Sequence, residues 1–189
     1  MEFESGKVNS KNIKKRHLLK YLGAGTLAGG MGLFFKQKAQ AQGHTSGVPY
    51  VYMHGTSVQV ERPDLTTSIL RQGFYTTIQG QANTFNWFHF AIPTLVITGN
   101  ERVKGCQVYF NTGSNNVVMK SVHLYISNQK VAANDNLNIY GTNGFGAITL
   151  NSSVYPSGPV GISVGVNFGA ASPLYIQFIG ASGQFENLA

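Results

Sequence analysis

A single cysteine, Cys106, in 189 residues excludes a disulfide framework and a cysteine-built zinc site. Charge is scarce as well. Only 11% of the residues are Asp, Glu, Lys or Arg, against roughly 25% in an ordinary soluble domain. A chain so poor in charge and 42% hydrophobic is not intrinsically disordered, since that state needs the opposite balance. Acids are scarcest, seven against fourteen Lys and Arg. That leaves little material for a paired-carboxylate active site or a carboxylate-rich calcium cage. Gly161-Ile162-Ser163-Val164-Gly165 has the G-x-S-x-G spacing, but it lies inside an alternating strand-like run and not at a strand-to-helix turn, so it does not read as a nucleophile elbow. Glycine is frequent, at 23, but has no three-residue period, so a collagen helix is excluded. The length suits one domain.

The formal charge of +7 is concentrated at the N-terminus. Residues 1–41 hold eight basic and two acidic residues, whereas residues 42–189 hold six and five. The body therefore lacks the cationic footprint that neutralises many phosphates, and no nucleic-acid partner is expected. The first 41 residues have the three-part layout of a bacterial export signal. Lys14-Lys15-Arg16 is followed by a weakly apolar run from Tyr21 to Phe35 and then by Ala39-Gln40-Ala41, an A-x-A cleavage pattern. The apolar run is too short for a comfortable membrane span of about 20 residues. Lys15-Arg16-His17-Leu18-Leu19-Lys20 resembles the twin-arginine pattern R-R-x-F-L-K, with Lys15 and Leu18 as departures. An ordinary Sec signal is the alternative. Residues 42–48 are small and polar, a flexible lead-in.

From residue 49 onward the chain reads as all-β. Val122, Leu124 and Ile126 share one face of Lys120–Ser127, a face that Lys120 starts, with Ser121, His123 and Tyr125 opposite. Ile162, Val164, Val166 and Phe168 alternate with Gly161, Ser163, Gly165 and Asn167. Leu174, Ile176 and Phe178 alternate likewise in Pro173–Ile179. Period two with one apolar face marks half-buried strands. Further candidates are Pro49–Met53, Ser57–Glu61, Phe74–Gln79, Asn86–Ile92, Val103–Phe110, Leu137–Tyr140 and Ala147–Tyr155. Gly80-Gln81-Ala82-Asn83 reads as a turn, and Thr66–Gln72 as one short helical turn. Eight to ten strands over residues 49–189 predict a single antiparallel β-sandwich, jelly-roll winding included, with a closed β-barrel as the alternative.

Three blocks carry a family resemblance: His54-Gly55-Thr56-Ser57-Val58-Gln59-Val60-Glu61, Thr84-Phe85-Asn86-Trp87-Phe88-His89-Phe90-Ala91-Ile92-Pro93-Thr94, and Gly161-Ile162-Ser163-Val164-Gly165-Val166-Asn167-Phe168. Together they make residues 50–186 similar to an uncharacterised family of secreted bacterial and fungal domains, a domain of unknown function. Leu95 departs from the second proline that pattern has. The resemblance implies a β-sandwich outside the cytoplasm and supplies no catalytic residue.

Candidate chemistry is thin. Cys106 reads as a small buried hydrophobe. Glu61-Arg62 and Glu101-Arg102 read as surface ion pairs, with Glu61 and Asp64 at one turn. Asp135 lies in the turn tract Asn134-Asp135-Asn136, which with Asn138 offers oxygen ligands for calcium. His54, His89 and His123 are the candidates for a three-histidine metal site; their spacing gives it no support, and the metal stays unknown. Carbohydrate recognition suits the composition better, because aromatic rings with polar tips stack on sugar faces while amides bond the hydroxyls. The candidate ligand-binding residues are Trp87, His89, Tyr125 and Tyr175. Trp87 and His89 fall on one side of their strand and Phe88 and Phe90 on the other. Against this stands a reading with Trp87 in the core and the tyrosines as plain cross-strand partners.

The expectation is thus an exported protein of the periplasm or extracellular space, with no cofactor and no stable membrane span after cleavage. It is expected to be a non-catalytic β-sandwich binding a glycan or another envelope component. A self-assembling envelope protein and a hydrolase or metal-dependent enzyme are the alternatives.

Overall fold

A computed structural model of the chain describes residues 49–94 and 100–187. The export signal and lead-in expected over 1–48, and Leu95, lie outside the described residues. Eleven strands run in chain order: β1 Tyr50–His54, β2 Gln59–Val60, β3 Thr66–Arg71, β4 Thr76–Gly80, β5 Thr84–Ile92, β6 Glu101–Thr112, β7 Val117–Ile126, β8 Gln129–Asn134, β9 Gly144–Val154, β10 Val160–Phe168 and β11 Tyr175–Asn187. Two 3-10 turns, Gly55–Ser57 and Pro63–Leu65, are the only helical elements among the described residues. No helix there is long and apolar enough to cross a membrane.

The strands form two antiparallel sheets. One has the order β3-β4-β11-β6-β9, with β1 also on β11; the other has the order β2-β5-β10-β7-β8. From β4 to β11 the chain crosses to the other sheet at every connection except β7–β8, giving β4-β11-β6-β9 facing β5-β10-β7-β8. This is jelly-roll winding. The sheets stay separate, so the fold is a sandwich and the barrel alternative is set aside.

The alternation in the sequence explains the core. Val122, Leu124 and Ile126 of β7 and Ile162, Val164, Val166 and Phe168 of β10 are all buried. Lys120 departs from its expected place. Met119 opposes Val166 and Ser121 opposes Gly165, so Lys120 drops out of the alternation at a β-bulge. Met119 and Val117 continue the core face instead, and Lys120 Nζ donates to Asn138 Oδ1 at 3.0 Å. Two further expectations are corrected. Thr66–Arg71 is strand β3, not a helical turn: it pairs with β4 at the sheet edge, and edge pairing overrides its weak periodicity. Leu137–Tyr140 forms no strand beyond one bridge between Met119 and Ile139. The expected Gly80–Asn83 turn joins β4 to β5, with Asn83 at φ 58°, a left-handed conformation that asparagine tolerates.

The sheets lock through aromatic rings. Phe178 of β11 packs against Phe88 and Phe90 of β5, with centroids 5.2 Å and 5.6 Å apart, and Phe88 meets Phe168 edge-on at 6.4 Å. All four are essentially inaccessible to solvent. Burying each contributes about 1.5–3 kcal/mol. Cys106 sits in the same core, and burial pushes its thiol up to about 12. It stays protonated at neutral pH and is no nucleophile.

Phe178→Ala is expected to cost about 3–5 kcal/mol, read as a lower urea midpoint. Cys106 is expected to resist a thiol reagent in buffer and to react fully in denaturant; a fast reaction of the folded protein contradicts this packing.

Candidate functional site

The outward positions of the β2-β5-β10-β7-β8 sheet hold the richest polar and aromatic cluster. One row crosses all five strands: Gln59, His89, Ser163, His123 and Ala133 are register partners in turn. The next position along β5 is Trp87, opposite Gly165.

Trp87 is half-buried and points away from the core that Phe88 and Phe90 enter, so the core reading of Trp87 does not hold. Its ring meets Phe85 edge-on at 5.4 Å and leans across β10 to His123 at 4.8 Å. His123 in turn lies 6.3 Å from Tyr125. Gly165 makes this possible. A Cβ there would lie 2.6 Å from Phe85 Cζ and 3.1 Å from Trp87 Cζ3. The rings therefore rest on the backbone of β10, where any side chain would lift them off.

Polar contacts fix both histidines. His89 Nε2 lies 3.1 Å from Glu61 Oε2, and Nδ1 lies 2.9 Å from Ser163 Oγ. An ionised carboxylate only accepts, so Nε2 donates to Glu61; in the neutral ring Nδ1 then accepts from the Ser163 hydroxyl. His123 Nε2 donates to Asp135 Oδ1 at 2.7 Å. The His123 hydrogen bond, and after it one from Ser121, hold the Asp135 carboxyl below the ordinary carboxylate range. Glu61 owes its place to buried Asn86. The Asn86 side-chain amide donates to Arg62 O at 2.8 Å and accepts from Arg62 N at 3.1 Å. This clamps the chain after β2 onto β5 and brings Glu61 beside His89.

Three of the four candidates read from the sequence, Trp87, His89 and Tyr125, thus share one face. Tyr175 does not join them. It begins β11 in the other sheet, opposite Gln79, with its ring against Gly113. The three histidines do not converge either. His89 and His123 flank Ser163, but His54 ends β1 in the other sheet, where its Nδ1 accepts from Thr56 N at 3.2 Å. Among the described residues no group of three or more His, Cys, Asp or Glu is placed to hold a metal. The tract around Asp135 spends its side chains elsewhere: Asn134 donates to Ala147 O, Asp135 accepts from His123 and Asn138 from Lys120.

Sequence reading placed Glu61 with Arg62; instead the Arg62 guanidinium holds Asp64 through two contacts of 2.9 Å and 2.6 Å. Ser163 was legible as a polar-face position, yet nothing in the sequence tied it to His89, 74 positions away. Only the β5–β10 register does so.

A profile of DUF6623, a family of unknown function, matches residues 48–186, and the chain belongs to that family. No curated protein matches the sequence. Among solved structures, the chain is similar to the xylan-binding module CBM86 from Roseburia intestinalis, at 9% identity, TM-score 0.48, and coverage of 73% of this chain and 96% of that one. It is similar to the xylan-binding module CBM15 at 7% identity, TM-score 0.48, and coverage of 76% and 100%. A Stig cyclase from Fischerella sp. TAU matches at 12% identity, TM-score 0.45, and coverage of 73% and 90%. Likeness at this level concerns the fold and carries nothing about a ligand.

The lowered carboxyl of Asp135 has a pH signature. Its stabilising contribution is full above the unfolded value of 3.8 and is lost as pH falls through its lower folded value. Asp135→Ala is expected to remove part of the acid-side fall in melting temperature below pH 4 while leaving the neutral-pH melt cooperative. An unchanged acid limb contradicts the His123–Asp135 pairing.

Proposed function

We propose that this DUF6623 chain is an exported, non-catalytic module that binds a glycan on the Trp87 face. The observation that carries it is the Phe85–Trp87–His123–Tyr125 ring cluster lying on a glycine-floored strand, edged by His89, Ser163 and Glu61. Sugar rings present apolar C–H faces and hydroxyl rims. An aromatic surface takes the former, and polar groups already oriented by neighbours take the latter at small entropic cost. Phe85 is exposed, Trp87 and Tyr125 are half-buried and His123 lies beneath them, so the ring edges are presented without a broad greasy patch, as suits a polar, neutral ligand. The basic n-region, weakly apolar run and Ala39-Gln40-Ala41 of residues 1–41 support export, to the periplasm or the medium, with residues 49–189 as one domain.

A hydrolase reading has in its favour the hydrogen-bonded series Ser163–His89–Glu61, with Ser163 at the centre of a G-x-S-x-G pentapeptide; that pentapeptide runs mid-strand in β10, not at the strand-to-helix turn of a nucleophile elbow. The strand that carries Ser163 does not supply the matching oxyanion donors. Ser163 and Val164 are in unbroken register with both β5 and β7, so the backbone N–H groups beside the Ser163 hydroxyl are committed to the ladders and not turned to a developing oxyanion.

The test is affinity electrophoresis of the full chain in gels holding xylan, galactan or mixed-linkage β-glucan, with a thermal melt alongside. At least one polysaccharide is expected to retard the protein. Trp87→Ala should weaken that retardation tenfold or more, about 1.4 kcal/mol, while the melt stays cooperative. Retardation by none, or an unaltered Trp87→Ala, overturns the proposal. Covalent labelling of Ser163 by a fluorophosphonate would favour the hydrolase.

A further inference from the structure

The opposite face of the sandwich carries a second aromatic surface. Tyr50 and Tyr52 of β1 point outward from the first sheet, their rings stacked at 5.9 Å and 26°. Across β11, Tyr109 of β6 packs on Phe145 of β9 at 5.5 Å. Registers join the two groups. Tyr52 opposes Ser182, which opposes Gln107, and Tyr109 opposes both Gly180 and Phe145. Small residues lie among the rings, Gly105, Gly180, Ala147 and the fully buried Ser182, and the two longer side chains between them, Gln107 and Gln184, are both amides. The rings therefore stand above a low floor. Tyr52 is 65% exposed and Phe145 44%.

Hydrogen bonds brace this surface. Tyr109 Oη donates to Gln107 Oε1 at 2.6 Å, and Gln107 Nε2 donates to Tyr50 Oη at 3.4 Å. This chain crosses over β11 and holds phenols and amide in one arrangement before any ligand arrives. None of the residues so placed is Asp, Glu, Lys or Arg. The charges nearest along these strands, Lys104 and Glu186, are paired with each other, whereas an uncharged polyhydroxyl ligand finds ring faces, phenol oxygens and an amide.

We infer that the Tyr50–Tyr52–Tyr109–Phe145 face is a second glycan-binding surface, taking a neutral polysaccharide segment, and that the domain is bivalent. The inference rests on the glycan reading of the Trp87 face. The two surfaces lie on the outer sides of sheets packed about 10 Å apart and point in opposite directions. One polysaccharide strand cannot lie across both without wrapping around the domain. Simultaneous engagement therefore joins separate strands, and the module acts as a crosslinker.

The experiment mixes the full chain with each of the three polysaccharides, measures light scattering as protein is added, and follows retardation in affinity gels. A bivalent protein gives scattering that rises and then falls in protein excess. Tyr50→Ala/Tyr52→Ala and, separately, Trp87→Ala are each expected to abolish the scattering while leaving a weakened but measurable retardation through the remaining face. The combination of all three substitutions should run unretarded. The altered tyrosines are surface residues, and an unchanged melt confirms that the fold is kept. Scattering by the tyrosine variant equal to that of the unaltered protein overturns the second surface and leaves the Trp87 reading intact. Retardation lost with the tyrosines but not with Trp87→Ala overturns both bivalency and the Trp87 reading. If no polysaccharide retards the unaltered chain, both fall. Sedimentation without sugar showing a dimer that Tyr52→Ala dissolves would assign the face to a second copy of the chain and overturn the inference.

Discussion

Phe178 reaches from one sheet into the pair Phe88 and Phe90 on the other, and the rest of the architecture follows from that contact. A strand has two faces and a fixed period of two. Once Phe88 and Phe90 are committed to the core, Phe85, Trp87 and His89 have only the outer face left. The same logic operates on β11, where Ile176 and Phe178 go inward and Gln177 outward. With the core built by alternate residues and no disulfide available, the outer residues are released from structural duty. Both candidate surfaces are a by-product of how the core was filled.

What distinguishes the outer faces from ordinary solvated sheet is local bracing. On the Trp87 side, every ring or imidazole has a fixed neighbour: Glu61 and Ser163 for His89, Asp135 for His123, the backbone at Gly165 for Phe85 and Trp87. Asn86, buried between the sheets, supplies the link that holds Glu61 in reach. On the other side Tyr109, Gln107 and Tyr50 form their own chain. Burial lifts the Tyr109 hydroxyl above the ordinary phenol range, and neighbouring Tyr52 and Tyr50 add to the rise. The phenol remains a donor at any physiological pH. Such order costs conformational entropy at folding and spares it at binding.

Much of this was legible in the residues. The alternation in β7 and β10 predicts strands, inward faces and the outward placement of His123 and Tyr125, whereas in β5 it separates Trp87 and His89 from Phe88 and Phe90 without deciding which side is core. The unreadable part has a common cause, since period two says which way a side chain points and nothing about which strand lies next to it. Tyr175 was placed with Trp87 because both are aromatic, and strand order puts them on opposite sheets. Glu61 looked paired with its neighbour Arg62, but the β2–β5 register hands it to His89. β8, Gln129–Asn134, escaped notice because its edge position buries little, so its alternation is faint. Lys120 leaves the expected face because a bulge is invisible to a pattern that assumes unbroken pairing.

Trp87 is the only tryptophan in the chain, so its emission reports directly on the proposed glycan face. The most direct measurement is a fluorescence titration of the full chain with whichever of xylan, galactan and mixed-linkage β-glucan retards it in gels. The account predicts a saturable change in Trp87 emission whose midpoint matches the gel affinity. Saturating polysaccharide that leaves the emission unchanged would contradict it, as would an absence of binding to all three.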